Sequence, residues 1–372
     1  MVWNALAVIG GLAWLIILLL PWRPWGTGEF IDSVQATPEA DLGDITALIP
    51  ARNEAGTIGK TLSGLQAQGR NLSIVMVDDQ STDETAAVAQ AHAGLNVRVL
   101  SGEPLPEGWA GKLWALEQGF RLVTTPLTLL IDADIELQPG ILGLLRQRMR
   151  ENGLGLISLM AQMHMVSFWE KLLMPAFVYF FRMLYPFRLS NSSFKGVAAA
   201  AGGCILIETR LIREIGGFEA IREELIDDCA LAKKVKLRGY RTWVGFSHSV
   251  HSLRPYSHLS GIWQMVSRTA SCQLRYSVVL LLATTLAMAA LFWLPVTGLV
   301  FRSASAKVIS AGALVAMVFT YLPTLTFYGR SKAWALALPL IATLYLAMTW
   351  SSMIQFWSGS GSSWKGRSYN PT

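Results

Sequence analysis

Charge is scarce in this chain, and cysteine scarcer. Only 15% of the 372 residues are Asp, Glu, Lys or Arg, against 52% hydrophobic, too few to solvate a soluble enzyme throughout, and the charges gather in the middle of the chain. The three cysteines, Cys204, Cys229 and Cys272, are scattered and form no Cys-x-x-Cys pair; they fit buried thiols in a reducing compartment, not a disulfide framework. Of the five histidines, His248, His251 and His258 fall close together, yet none has a second ligand at helical or strand spacing, so they are read as loop or interface residues. No Gly-x-Gly-x-x-Gly follows the first strand, which argues against a dinucleotide fold. Internal repeats and long low-complexity segments are absent. The net charge of +6 is read as Lys and Arg serving membrane topology and anionic head groups, with no nucleic acid partner implied.

Uncharged apolar sequence is abundant. Val2 to Trp22, Val278 to Phe301, Val308 to Gly329 and Ala333 to Trp357 carry no charge over 21, 24, 22 and 25 residues, and about 20 helical residues cross a hydrocarbon core. The first run lacks a basic leader, and Pro21-Trp22-Arg23-Pro24-Trp25 has the look of an interfacial aromatic belt, so it is read as an uncleaved anchor and not a signal peptide. This divides the chain into an anchor (1–22), a linker (23–43), a soluble domain (44–255), an interfacial segment (256–277), three membrane helices (278–357) and a tail (358–372). Phe168 to Leu189, aromatic but interrupted by Lys171, Arg182 and Arg188, is expected to lie in the bilayer interface.

Inside the domain, apolar runs alternate with helical patterns. Strands are expected at 45–50, 72–78, 96–100, 127–132, 155–163 and 204–207; helices at 55–68, from Ser81 or Thr82 through Ala93, and at 112–122, 139–151, 209–216 and 230–238. Near-continuous apolar strands separated by helices imply an α/β, doubly wound, mostly parallel sheet. Ligands gather beyond the carboxyl edge of such a sheet, and acids sit at the strand exits: Glu54, Asp78-Asp79 and Asp132-Ala-Asp134, with Asp227-Asp228 before a later helix. Asp-x-Asp at a strand end suits Mg²⁺ or Mn²⁺, which takes one or two carboxylates and completes its shell with water and substrate phosphates. Lys233, Lys234, Lys236 and Arg238 are read as a solvated helix face.

The ordered set Ile-Pro-Ala-Arg-Asn-Glu (49–54), Val-Asp-Asp-Gln-Ser-Thr-Asp (77–83), Gly-Trp-Ala-Gly-Lys (108–112), Asp-Ala-Asp (132–134), Gly-Gly-Phe (216–218) and Ile-Asp-Asp (226–228) resembles a family 2 glycosyltransferase of the GT-A fold. With the four spans, Gln-Leu-Arg-Tyr at 273–276 and Trp-Lys-Gly-Arg at 364–367, it is most similar to the hopene-associated glycosyltransferase subgroup, and is also similar to ceramide glucosyltransferase. The resemblance implies a Rossmann-like sheet, a UDP-sugar donor, a lipid acceptor of hopanoid or related type, and inversion at the sugar carbon. By motif, Asp79 meets the uracil; Pro50, Arg52 and Glu54 line the nucleotide site; Lys112 faces the diphosphate. Asp134, with Asp132, holds the metal, and Asp228, beside Asp227, is the base. The family's Gln-x-x-Arg-Trp stretch is represented either by Gln273 and Arg275 or by Gln264 and Arg268.

Three functions compete: a lipid glycosyltransferase in the plasma membrane of a bacterium with its domain in the cytoplasm, a processive polysaccharide synthase, and a non-catalytic scaffold with a decayed nucleotide fold. The three C-terminal runs have almost no polar lining for a sugar channel, and intact acids at all four loops oppose decay. If all three runs cross, the tail ends opposite the domain. A tail that belongs near the site therefore requires one of them to be interfacial or re-entrant, and the tail is expected on the domain side.

Overall fold

Strands form where the chain is apolar on both faces. A computed structural model describes residues 2–33, 40–92 and 96–359, with the backbone of two short strands at 362–364 and 367–369. The elements in order are α1 (Val2–Leu19), β1 (Ile45–Ala51), α2 (Ile58–Gln66), β2 (Ser73–Asp78), α3 (Thr85–Gln90), β3 (Val97–Ser101), α4 (Gly111–Phe120), β4 (Leu127–Ile131) and β5 (Ile135–Leu137). Then come α5 (Ile141–Asn152), β6 (Leu154–Gln162), α6 (Phe168–Leu184), α7 (Phe187–Ser190), β7 (Cys204–Glu208), α8 (Thr209–Glu214), α9 (Asp227–Leu237), β8 (Arg241–Ser252) and α10 (Leu259–Gln273). The membrane part holds α11 (Val278–Met288), α12 (Leu294–Thr297), α13 (Ala304–Phe327) and α14 (Leu338–Trp357), and the chain closes with β9 (Ser362–Trp364) and β10 (Arg367–Tyr369).

The main sheet runs β3-β2-β1-β4-β7-β6-β8-β5. β3, β2, β1 and β4 are parallel, as are β6 and β8; β7 is antiparallel to both of its neighbours, and β5 to β8. β1 and β4 are buried along their whole length, which their unbroken apolar runs require. Ile58, Leu62 and Leu65 of α2 and Ile141 and Leu145 of α5 pack on one face; Leu113 and Leu116 of α4 and Leu231 and Val235 of α9 pack on the other. Helix α4 approaches so closely that a Cβ on Gly119 would lie 2.4 Å from Leu48. The sheet is thus the GT-A type that the resemblance implies. Its largest departure from the sequence reading is β8, a 12-residue strand over a stretch containing His248, His251 and four serines or threonines. Helix α3 begins at Thr85, whose N–H donates to Asp83 at 3.0 Å; neither Ser81 nor Thr82 caps it, and Ala93 lies outside the described residues.

The described part of the linker docks on the domain: Phe30 bridges Phe246 of β8, and Asp32 accepts from the His248 N–H. α6 is a core helix. Leu172, Leu173, Met174, Ala176, Val178 and Tyr179 are buried between sheet and membrane helices, so the expected interfacial placement gives way to packing on both sides. Lys236 is also buried, at 4% exposure, and donates to the carbonyls of Ser190 and Val197. It therefore ties down a loop instead of facing water.

Among the described residues four helices are long and apolar enough to cross a membrane: Val2–Leu19, Val278–Val300, Ala304–Phe327 and Lys332–Trp357. Three lead away from the domain. Trp3 at the start of α1 packs on Phe301 with ring centroids 4.7 Å apart, and Trp25 past its end packs on Phe319. The 278–300 segment bends through a π turn at Ala289–Trp293. Pro295 has no N–H to give to Leu291, and the Trp14 indole takes that carbonyl at 2.6 Å. α13 returns to the domain, where Phe327 stacks on His248 at 4.0 Å.

α14 differs, because both its ends lie beside the domain. Arg330, just ahead of it, donates to the Met165 carbonyl, and Trp334 packs on Phe168. At the other end Ser352 bonds Ser271 at 2.9 Å and Phe356 stacks on Tyr276. Those partners belong to α10 and its exit, and α10 itself returns to the domain through Gln273, which accepts from the Tyr185 O–H. These contacts favour the expected placement of the tail on the domain side, although the middle of α14 also runs beside the 278–300 segment, through Thr343 to Trp293 and Trp350 to Thr285; β9 packs against α10. Lys365 and Gly366 of the tail motif lie outside the described residues, as do the side chains of Trp364 and Arg367. In a chain with its three native cysteines replaced, a cysteine at Ser358 should react with an impermeant maleimide from the same side as one at Glu107, and a cysteine at Ser305 from the opposite side. Labelling of 358 together with 305 would show α14 to cross.

Candidate active site

The carboxyl ends of β1, β2 and β4 deliver their acids to one edge, and the chain meets the resulting repulsion with two cations. The first is Lys112, in the first turn of α4. Its ammonium lies 3.0 Å from Asp132 and 3.2 Å from Asp227. Burial disfavours this charge, but Asp132, Asp227 and Asp228 outweigh it and hold the lysine pKa above its usual value. Asp228 accepts from the Gly202 N–H at 2.8 Å and from the Cys229 N–H at 2.7 Å. Burial, then the charge of Asp227, push it up to about 7. Pro50, Lys112, Asp132, Gly202, Asp227 and Asp228 line one crevice of about 10 Å³, room for roughly a single water. A Cβ at Gly202 would come within 3.2 Å of the Lys112 nitrogen and 3.4 Å of Asp228, which is why glycine stands there.

The second cation is Arg254, which the sequence reading did not select. Its Nε donates to Asp134 at 2.6 Å, and its guanidinium also pairs with Glu54. Glu54 is held from the other side by the Thr57 hydroxyl at 3.1 Å. The loop carrying Arg254 is anchored at both ends: Leu253 N–H donates to the Asp134 carbonyl at 2.7 Å, and Tyr256 N–H to Glu170 at 2.6 Å. Glu170 is fully buried, completes a capping box with Ser167, and also meets His164. Burial works against its charge, but these donors bring its pKa down to about 2. The missed signal was register: Asp134 follows β4 and Arg254 follows β8, and the intervening β5 pairs with β8, so seeing that Arg254 returns to Asp134 required recognising β8.

The β1 and β2 loops lock onto each other. Asp79, fully buried, donates its N–H to the Ala51 carbonyl at 2.8 Å. Arg52 donates to the carbonyls of Asp79 and Gln80, and Asn53, with a φ of +52°, accepts from Thr82 N–H. Arg52 thus braces the loop of Asp79. Of the two candidate glutamine–arginine pairs, Arg275 is exposed at the α10 exit with a φ of +50°, while Gln273 bonds Tyr185, whose phenol feels the charge of Asp228. Arg268, one turn after Gln264 on α10, acts together with Arg254 on Tyr256.

Among the described residues no group of three or more His, Cys, Asp or Glu side chains could hold a metal ion alone. His248 is occupied by Asp32 and the Phe327 carbonyl. Asp132 and Asp134, two hard carboxylates at one strand end, nevertheless suit Mg²⁺ or Mn²⁺, for which phosphate oxygens and water supply the other positions.

Residues 46–216 match the model of the family described as Glycosyl transferase family 2. Two 4,4'-diaponeurosporenoate glycosyltransferases are similar: that of Staphylococcus haemolyticus is 29% identical over 117 residues, 31% of each chain, and that of Staphylococcus aureus 32% identical over 116 residues, 31% of this chain and 30% of the relative. The match thus spans less than a third of these relatives' length. A mannosyltransferase of Pyrobaculum calidifontis, solved in complex with GDP-Man and Mn²⁺, superposes over 95% of this chain and 99% of its own with a TM-score of 0.54 at 18% identity, a likeness of fold. Sheet, acidic edge and family match agree: the fold is of the GT-A type, and residues 46–216 are similar to the glycosyl transferase family 2 model.

Proposed function

We propose that the chain is a membrane-bound, metal-dependent, inverting glycosyltransferase that moves a sugar from a UDP-sugar to a lipid hydroxyl, the lipid being a hopanoid or a related apolar molecule, in the plasma membrane of a bacterium. One observation carries this reading: Asp228 shares a crevice with Lys112 and Asp132, while Tyr185, which feels the charge of Asp228, bonds Gln273 of α10, the helix that packs along α14. A lipid hydroxyl arriving along α6 and α10 reaches the base without leaving the bilayer surface. The hydroxyl oxygen attacks the sugar carbon from the side opposite the diphosphate, Asp228 takes its proton, and the bond to phosphate breaks with inversion. Lys112 is placed to neutralise the departing diphosphate, and Asp79, Pro50 and Glu54 to receive the nucleoside. A divalent ion on Asp134 and Asp132 would supply further neutralisation of that charge. The domain would then face the cytoplasm, where sugar nucleotides are found.

The relatives named for diaponeurosporenoate, an apolar acid, support a lipid acceptor and raise a carboxylate as the attacking group. Such an acceptor needs no base. The pKa of about 7 at Asp228 favours a hydroxyl, because a proton acceptor matched to neutral pH is useful only where a proton must be removed.

Membranes containing the protein, incubated with radiolabelled UDP-sugars and GDP-mannose, should yield lipid-extractable label that survives mild alkali. Alkali-labile lipid would indicate an acid acceptor, polymer-bound label a processive synthase, and no transfer from any donor would contradict the proposal. Asp228→Asn should lower turnover by about 10² to 10⁴ with donor affinity retained. Because the base acts deprotonated, wild-type kcat/KM should be full above the Asp228 pKa and fall as pH drops through about 7; a midpoint near 4 would remove Asp228 from that role.

A further inference from the structure

The guanidinium of Arg254 sits on the carboxylate expected to hold the metal ion. It takes Asp134 through Nε at 2.6 Å and reaches Glu54 with its other arm, so one planar cation joins the exits of β1 and β4. Burial opposes its charge, but Asp134 and Glu54 more than compensate, and the backbone on both sides is pinned by Asp134 and Glu170. The backbone is thus fixed on both sides, and a change of partner would move the side chain alone.

We propose that Arg254 is a resident counter-ion that keeps the divalent cation off Asp134 until donor arrives, so that metal and nucleotide diphosphate bind in a coupled step. The argument is one of charge and geometry, and it rests on the glycosyltransferase reading above. A divalent ion approaching Asp134 meets a fixed positive charge within a few ångströms and a carboxylate oxygen already engaged. A diphosphate arriving beside Lys112 offers Arg254 a second planar anion that a guanidinium can grip with two parallel hydrogen bonds. Turning onto the phosphate, Arg254 releases Asp134 to the ion, and the diphosphate supplies the ion's remaining oxygen ligands. Arg254 is thus a positioning residue for the metal. It also prevents Asp134 and Glu54 from facing each other uncompensated in the empty site.

The test reads metal binding directly. Mn²⁺ is titrated into the full chain in detergent, free aquo-ion is followed by electron paramagnetic resonance, and the titration is repeated with UDP against a protein-free blank. Wild type should bind Mn²⁺ weakly alone and at least about ten-fold more tightly with UDP. Arg254→Gln, which keeps a hydrogen-bond donor and drops the charge, and Arg254→Ala should bind Mn²⁺ at least about ten-fold more tightly than wild type without nucleotide, with the UDP effect reduced. Arg254→Lys, which keeps the charge, should stay close to wild type. Variants that bind Mn²⁺ no better than wild type while UDP still tightens it would overturn the role of Arg254 and leave the donor site standing. Wild-type Mn²⁺ binding that Asp134→Asn does not alter, with or without UDP, would instead remove the metal from Asp134 and overturn both readings.

Discussion

Repulsion among carboxylates at one sheet edge is the constraint on which the rest of the site depends. Four chain segments bring acids to that edge or its rim, at Glu54, Asp79, Asp132 with Asp134, and Asp227 with Asp228, and the fold brings the first three close because parallel strands all exit on one side. In water such groups stay apart; here they are partly buried, where like charges interact strongly. Lys112 joins Asp132 to Asp227 and Arg254 joins Asp134 to Glu54, so each cation links a strand exit to a distant segment. Compensation is incomplete: burial still raises the proton affinity of Asp132, and that of Asp228 most, toward neutrality. Charge balance and chemistry are therefore the same arrangement: cations that quiet the resting acids are the groups that a leaving diphosphate would recruit.

Much of this was legible in the chain. The strands at 45–51, 73–78 and 127–131 declare themselves because burial on both faces leaves no room for polar positions, and the acids that end them are placed by that fact alone. What was not legible depends on pairing at long range. β8 carries His and Ser at positions that face the docked linker, so it lacks the alternation of an ordinary half-exposed strand. Without β8, nothing connects Arg254 to Asp134. Lys236 reads as one more cation on a basic helix; only the loop folded over it, offering the carbonyls of Ser190 and Val197, turns it into a buried tie. α6 looked interfacial by composition, yet the membrane helices cover its outer face.

The membrane part follows a related logic. Uncharged length identifies α14 as a candidate span, and length cannot tell a helix that crosses from one that lies along a protein surface. Its two ends pack on Phe168 and on α10 with its exit, while its middle runs beside the 278–300 segment. α6, α10 and α14 pack on one another beside the domain, and on the proposed function an acceptor held in lipid would meet the donor at Asp228.

The claim that charge compensation organises the site is tested most directly by a thermal-unfolding double-mutant cycle on Lys112→Met and Asp227→Asn in detergent. Lys112→Met alone should be strongly destabilising because it leaves several acids facing one another, and adding Asp227→Asn should recover part of the loss, with a coupling of about 1 to 3 kcal/mol. Strictly additive effects, or a Lys112→Met chain as stable as wild type, would show that the acids are held in place by the fold alone and would contradict the account.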